Sequence, residues 1–172
     1  MKSLIFLLTA LALAAQSQSD PWKELRVFEG NWQGATAGKP GKGTTTREYR
    51  FQLNGRILSQ RDLSVYQPAD PAAKPQTHED FGVLNYDSSL SKIVWQQYHS
   101  EGIVNQYTLE SVSEDGKSIE FITTRIENLP PGFRAKKQYR ILSEDEIEET
   151  FWLAPPGAEF EVYTRSHLKR VK

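Results

Sequence analysis

The chain has 172 residues, 38% hydrophobic and 25% charged, with 21 Lys and Arg against 22 Asp and Glu and no cysteine. That length suits one globular domain. The lack of cysteine excludes a disulfide framework, a thiolate metal site, a Cys nucleophile and a cysteine-linked lipid anchor, and a net charge of −1 argues against broad attraction to nucleic acid or anionic membranes.

Lys2 precedes an apolar run from Leu4 to Ala15, too short to span a bilayer, and the small residues Ala12, Ala14, Ser17 and Ser19 follow within and after it. This pattern predicts a signal peptide over residues 1–19, cleaved after Ala14 or one of the serines. Without Lys2 the mature chain, from residue 20 to 172, carries 20 basic and 22 acidic residues, a net of −2. The expected product is exported and free of any membrane span, periplasmic or extracellular. The missing cysteines favour a bacterial periplasm.

A short helix is expected next. Ser19 or Asp20 serves as N-cap, Pro21 takes the first helical position, Trp22, Leu25 and Phe28 share a face, and Gly30 ends it. Everything later reads as strands. Ten segments rich in Val, Ile, Thr and aromatics are each bounded by turn residues: 31–37, 44–53, 56–66, 78–86, 92–99, 103–112, 118–126, 133–142, 146–153 and 160–170.

The connections alternate in kind. Asn54-Gly55 is a two-residue hairpin signal, and Asp87-Ser88-Ser89, Glu114-Asp115-Gly116 and Ser143-Glu144-Asp145 are short and polar. Most of the others are long: a Gly-rich run over 38–43, a Pro-rich stretch over 67–77, Asn128 to Gly132 and Pro155-Pro156-Gly157, with only Ser100-Glu101-Gly102 short. In an up-and-down antiparallel barrel, alternate connections fall at opposite ends, which predicts a tight closed end and a mouth carrying the long loops.

Hairpin arithmetic sets the register. Around Asn54-Gly55, Leu53 faces Arg56, Phe51 faces Leu58 on the inner face, and Glu48 faces Arg61 on the outer one. Around Ser143 to Asp145, Ile141 faces Ile147 inside and Arg140 faces Glu148 outside. Followed round, the inner faces hold Tyr49, Phe51, Leu53, Leu58, Trp95, Tyr107, Leu109, Phe121, Tyr139, Ile141, Ile147 and Phe151. They also hold Gln60, Asp62, Gln97, His99, Asn105, Arg125, Lys137 and Glu149, and Arg47 stands opposite Asp62. Unpartnered burial of such groups costs about 1–3 kcal/mol each and more for charges. A lining this mixed implies internal ion pairs or a cavity for a small amphipathic or anionic ligand, whose head group Arg, Lys and Tyr would receive. The expected ligand-binding set is Gln60, Asp62, Trp95, Gln97, His99, Asn105, Tyr107, Arg125, Lys137, Tyr139 and Glu149.

The three histidines are His78, His99 and His167. His78 opens the fourth strand and His99 ends the fifth, so both fall at the mouth. The length of the turn from Asp87 to Ser91 decides whether His99 faces His78 or Glu79. His99 with Glu79 or Asp80 would make a general acid–base pair, and two histidines could ligate a metal. His167 is expected on the surface of the last strand. No nucleophile elbow, His-Glu-x-x-His or phosphate loop occurs.

Phe28-Glu29-Gly30-Asn31-Trp32-Gln33-Gly34 after a short helix resembles the Gly-x-Trp opening strand of the calycin superfamily, which includes lipocalins, fatty-acid-binding proteins and nitrobindin-like barrels. Leu53 to Leu58, Gly82-Val83-Leu84-Asn85-Tyr86-Asp87, Gly102 and Tyr163-Thr164-Arg165 are similar to motifs of bacterial secreted lipocalin-like proteins. The resemblance implies that Trp32 plugs the closed end beneath a basic residue of the last strand, Arg165 or Arg170. Its nitrobindin branch would bring a haem, for which His167 is the C-terminal candidate ligand and His99 a second one.

Overall fold

The computed structural model describes residues 20–68, 70 and 72–172, so the expected signal peptide lies outside the described residues. Ten alternating segments form β1 (Gly30–Gly38), β2 (Gly41–Gln52), β3 (Ile57–Tyr66), β4 (Gln76–Asp87), β5 (Lys92–His99), β6 (Val104–Val112), β7 (Ser118–Glu127), β8 (Arg134–Ser143), β9 (Glu146–Ala154) and β10 (Glu161–Val171). Each pairs antiparallel with its chain neighbours, and β1 pairs with β10, so the sheet closes into a barrel with no free edge. The all-β, ten-stranded expectation holds.

The N-terminal helix is a single 3₁₀ segment, Lys23–Phe28, rather than an α-helix. Asp20 does not cap it directly; its Oδ1 accepts from the Trp22 N–H at 3.0 Å one turn earlier. Too short to stand alone, the segment is held by burying Trp22, Leu25 and Phe28 in the tight end of the barrel. There Phe28 packs tilted against Tyr49 and edge-on against Tyr139, and Trp22 meets Phe51 edge-on. Trp32 is buried beside them and donates from Nε1 to the Phe28 carbonyl at 2.7 Å. The cation over its ring is Arg170, with Cζ at 4.3 Å from the centroid. Arg165 is exposed on the outer face, because the pairing sets Trp32 opposite Arg170 and Ala37 opposite Arg165.

Register follows the hairpin arithmetic: Phe51 faces Leu58, Glu48 faces Arg61, Ile141 faces Ile147 and Arg140 faces Glu148. Only the second outer pair forms an ion pair, at 3.1 Å. Arg61 instead lies over Phe81, and Glu48 pairs with Arg50. The β2–β3 turn is longer than two residues. Leu53, Asn54 and Gly55 all take positive φ, and Leu53, expected inside, is 68% exposed at the turn. The Gly-rich run, expected as a loop, is mostly strand: Gly38 pairs with Gly41, leaving a turn of Lys39 and Pro40.

Gly82 on β4 leaves room for two buried side chains inside the barrel. A Cβ there would collide with the buried Trp95 Nε1 and lie 2.5 Å from Gln60 Oε1. Both neighbours are fully enclosed, so neither side chain can swing clear. Gly82→Ala is expected to cost about 1–3 kcal/mol by overpacking, read as a lower urea midpoint with an unchanged slope. An unchanged midpoint would contradict this packing.

Candidate functional site

Toward the loop-bearing end the lumen opens into a cavity of about 300 Å³. Alternation along the strands aims Arg47 and Asp62 into it from β2 and β3, Lys137 from β8, Glu149 and Phe151 from β9, and His78, Asp80, His99 and Asn105 from β4 to β6. Tyr66, Ile126, Leu129 and Leu153 supply apolar wall.

Arg47 spans the lumen. Its Nη2 donates to Glu149 Oε1 at 3.0 Å, its Nη1 also binds Glu149, and its Nε lies 3.4 Å from Asp62 Oδ2. Burial works against the guanidinium charge, but Asp62 and Glu149 hold its pKa well above the usual value. Burial also works against the Glu149 carboxylate; Arg47 and Lys137 nevertheless bring it down to about 2. For Asp62, burial outweighs the pull of Arg47 and pushes the carboxyl up to about 6. Asp62 is thus the member of the cluster that takes a proton first. Burial raises Tyr107 and Tyr139 as well, so both hydroxyls stay neutral.

Lys137 differs from Arg47. Only 4% exposed and facing the cavity, it forms no ion pair or hydrogen bond among the described residues. Its Nζ sits 4.8 Å from the Trp95 ring centroid and 5.7 Å from that of Phe151. Aromatic faces stabilise an ammonium by roughly 0.5–2 kcal/mol, far short of the cost of dehydrating it. Lys137 is thus a buried cation on the cavity wall with no ion-pair contact among the described residues.

At the rim, Asp80 Oδ1 lies 2.6 Å from His99 Nδ1 and 2.9 Å from His78 Nε2. The second nitrogen of each ring is also engaged: His78 Nδ1 with Glu101 Oε1 at 2.7 Å, His99 Nε2 with the Asn105 amide at 2.9 Å. Contact with Asp80 raises His78 to about 9 against the effect of burial. Burial works against the Asp80 charge, but the two imidazoles hold it well below the usual carboxylate range.

Of the expected ligand-binding residues, Asp62, His99, Asn105, Lys137 and Glu149 line the cavity. Gln60, Trp95, Gln97, Tyr107 and Tyr139 point inward but form a packed layer outside the cavity lining, linked by Gln97 Nε2 to Gln60 Oε1 at 3.4 Å and to Asp80 Oδ2 at 3.2 Å. Arg125 is not in the lumen. A bulge where Gln106–Tyr107 meets Arg125–Thr123 flips its parity, leaving the side chain 66% exposed beside Glu127 while Ile126 takes the inward place. Glu79 is exposed on the outer face, and His99 pairs across the sheet with Asp80, neither His78 nor Glu79. His78 joins from two residues along the same face, its ring 5.5 Å from that of His99. Arg47 is a member the ligand-binding set lacked, although its facing with Asp62 carried the signal; of the two carboxylates expected beside His99, Asp80 rather than Glu79 meets it.

These residues do not fit a haem on the C-terminal histidine. His167 sits on the outer face, 48% exposed, with Nε2 2.6 Å from Glu146. Its inward neighbours are Ser166 and Leu168, and the lumen behind them is crossed by the Arg47–Glu149 pair.

No family profile and no curated protein matches the sequence. Among solved structures, the chain is similar to Rv2717c from M. tuberculosis, at a TM-score of 0.64 and 18% identity over 90% of this chain and 99% of that one. A protein of the DUF3598 family from Nostoc punctiforme aligns at a TM-score of 0.30 and 9% identity over 90% of this chain and all of that one. The first likeness is one of fold alone, a closed antiparallel barrel.

Proposed function

We propose that the protein binds a small amphipathic molecule in its lumen, with an anionic head group, a carboxylate or phosphate, on the Lys137 ammonium and an apolar body against Phe151, Leu153, Ile126 and Ile103. The buried, unpaired Lys137 in a cavity of about 300 Å³ carries this reading. Arg47 is committed to Asp62 and Glu149, so it frames the site without offering a free charge. The apolar run of residues 4–15 supports a binding role outside the cytoplasm, with the leader removed.

The test is a thermal-shift screen of fatty acids and aromatic carboxylates. A ligand present at a hundred times its Kd stabilises the fold by about 2.7 kcal/mol, enough to raise Tm by several degrees. In Lys137→Met the affinity is expected to fall roughly tenfold to hundredfold, the worth of one charge-assisted hydrogen bond of about 1.5–3 kcal/mol. A library without any stabilising member, or an unchanged affinity in Lys137→Met, would sink the proposal.

A second reading, acid–base catalysis by His99 with Asp80, is favoured by their 2.6 Å contact beside the cavity. It requires a turnover that His99→Gln abolishes while the variant still melts cooperatively.

A further inference from the structure

The groups at the rim do more than neutralise one another. His78, Asp80 and His99 come from adjacent strands, and their ligand atoms all lie within 4.8 Å of one another. Asp80 Oδ1 is buried between the two imidazoles at 2.9 and 2.6 Å, yet neither approach has the alignment of a hydrogen bond, and the oxygen is left without a hydrogen-bond partner. Three ligand atoms gathered this closely, with the central oxygen outside any hydrogen bond, are what three ligands around a common centre produce. Simple histidine–carboxylate pairing would turn each N–H onto the oxygen.

The surrounding residues complete the pattern. Metal-bound histidines nearly always give their other ring nitrogen to a carboxylate, carbonyl or water, which fixes tautomer and ring orientation. Here His78 Nδ1 meets Glu101 Oε1 at 2.7 Å, which leaves Nε2 for the centre. His99 Nε2 lies 2.9 Å from the Asn105 amide; with that amide turned so that its oxygen accepts from Nε2–H and from the Tyr107 hydroxyl, which lies 3.0 Å away, Nδ1 is left for the centre. Both outer nitrogens are thus anchored and both inner nitrogens converge on Asp80.

We propose that His78 Nε2, His99 Nδ1 and Asp80 Oδ1 form a divalent transition-metal site at the mouth of the barrel, with Glu101 and Asn105 as positioning residues. Two imidazoles and one carboxylate suit Zn²⁺, Co²⁺ or Fe²⁺ and leave coordination positions open. All three ligands line the cavity, so those open positions face the lumen. The site stands whether or not an organic ligand occupies the barrel.

The experiment uses the mature protein, stripped with chelator and dialysed, and titrated with Co²⁺ alone and then with Zn²⁺. One equivalent of Co²⁺ is expected to give visible d–d absorption, which Zn²⁺ abolishes by displacement. His99→Ala is expected to lose at least about a hundredfold in affinity, and Asn105→Ala roughly tenfold to hundredfold, as positioning residues do. Because Asp80 is buried and its substitution threatens folding, the decisive ligand variant is His78→Gln at the rim, checked by circular dichroism. His167→Ala serves as the control and leaves the titration unchanged. Absence of the Co²⁺ bands overturns the proposal. So does binding that survives both His78→Gln and His99→Ala, or that is lost in His167→Ala.

Discussion

Arg47→Met is expected to destabilise the fold by about 3–5 kcal/mol at neutral pH, because it strands two buried carboxylates. Arg47 is the only side chain in ion-pair contact with either Asp62 or Glu149 among the described residues, and all three are nearly inaccessible to water. The thioether fills most of the stem volume, so the loss comes from charge rather than from a void. A triple variant, Arg47→Met with Asp62→Leu and Glu149→Met, should recover most of the stability, since removing a whole buried ion cluster is often neutral or favourable.

The pH dependence of that deficit follows from the same contacts. With Arg47 present, the folded-state pKa of Glu149 lies at about 2, below its unfolded value. That contribution is complete above the unfolded pKa and is lost as pH falls toward 2. Without Arg47, burial lifts Glu149 above its unfolded value and pushes Asp62, already at about 6, further up. The variant then gains stability by protonation as pH falls and loses it as pH rises. Urea melts of wild type and Arg47→Met should therefore differ most near about pH 8 and converge toward about pH 5. A deficit that is constant with pH would show that Arg47 contributes packing rather than charge compensation.

Much of the architecture was readable because each strand alternates and each connection carries its own turn residues. The pairing of Phe51 with Leu58 needed only the position of Asn54-Gly55, and it survived a longer turn because the register is symmetric about it. What alternation cannot show is a change of parity within a strand. The bulge in β7 turned Arg125 outward with no glycine or proline to announce it. The partner of His99 depended on the β4–β5 turn, in which four residues separate the paired Asp87 and Lys92. The Arg47–Glu149 bond crosses the lumen between strands that are not paired in the sheet, beyond the reach of neighbour-strand arithmetic. Lys137 was legible as inward-facing, whereas its lack of an ion-pair contact among the described residues required knowing that Glu149 turns to Arg47.

The same distinction separates two arginines on β10. Arg170 donates to the Val27 carbonyl at 2.8 Å, to Glu144 O at 2.7 Å and to Asp145 Oδ1 at 3.0 Å, reaches Glu29 O as well, and covers Trp32. It thereby fastens the 3₁₀ segment, the β8–β9 turn and the last strand to one side chain. Gly30, at φ 136°, leaves the space, since a Cβ there would lie 2.5 Å from Arg170 Nη1. Arg170→Ala is expected to cost roughly 2–4 kcal/mol, the sum of unpartnered carbonyls and a lost cation–aromatic contact. Arg170→Lys should recover less than half, because a single ammonium cannot reach several acceptors and also cover a ring. Hydrogen exchange in residues 23–28 should accelerate in both variants before global unfolding does. Arg165→Ala, on the exposed face, should stay within about 0.5 kcal/mol of wild type. Equal losses at the two positions would mean that the closed end is held by the charge of β10 as a whole rather than by the fork of one guanidinium.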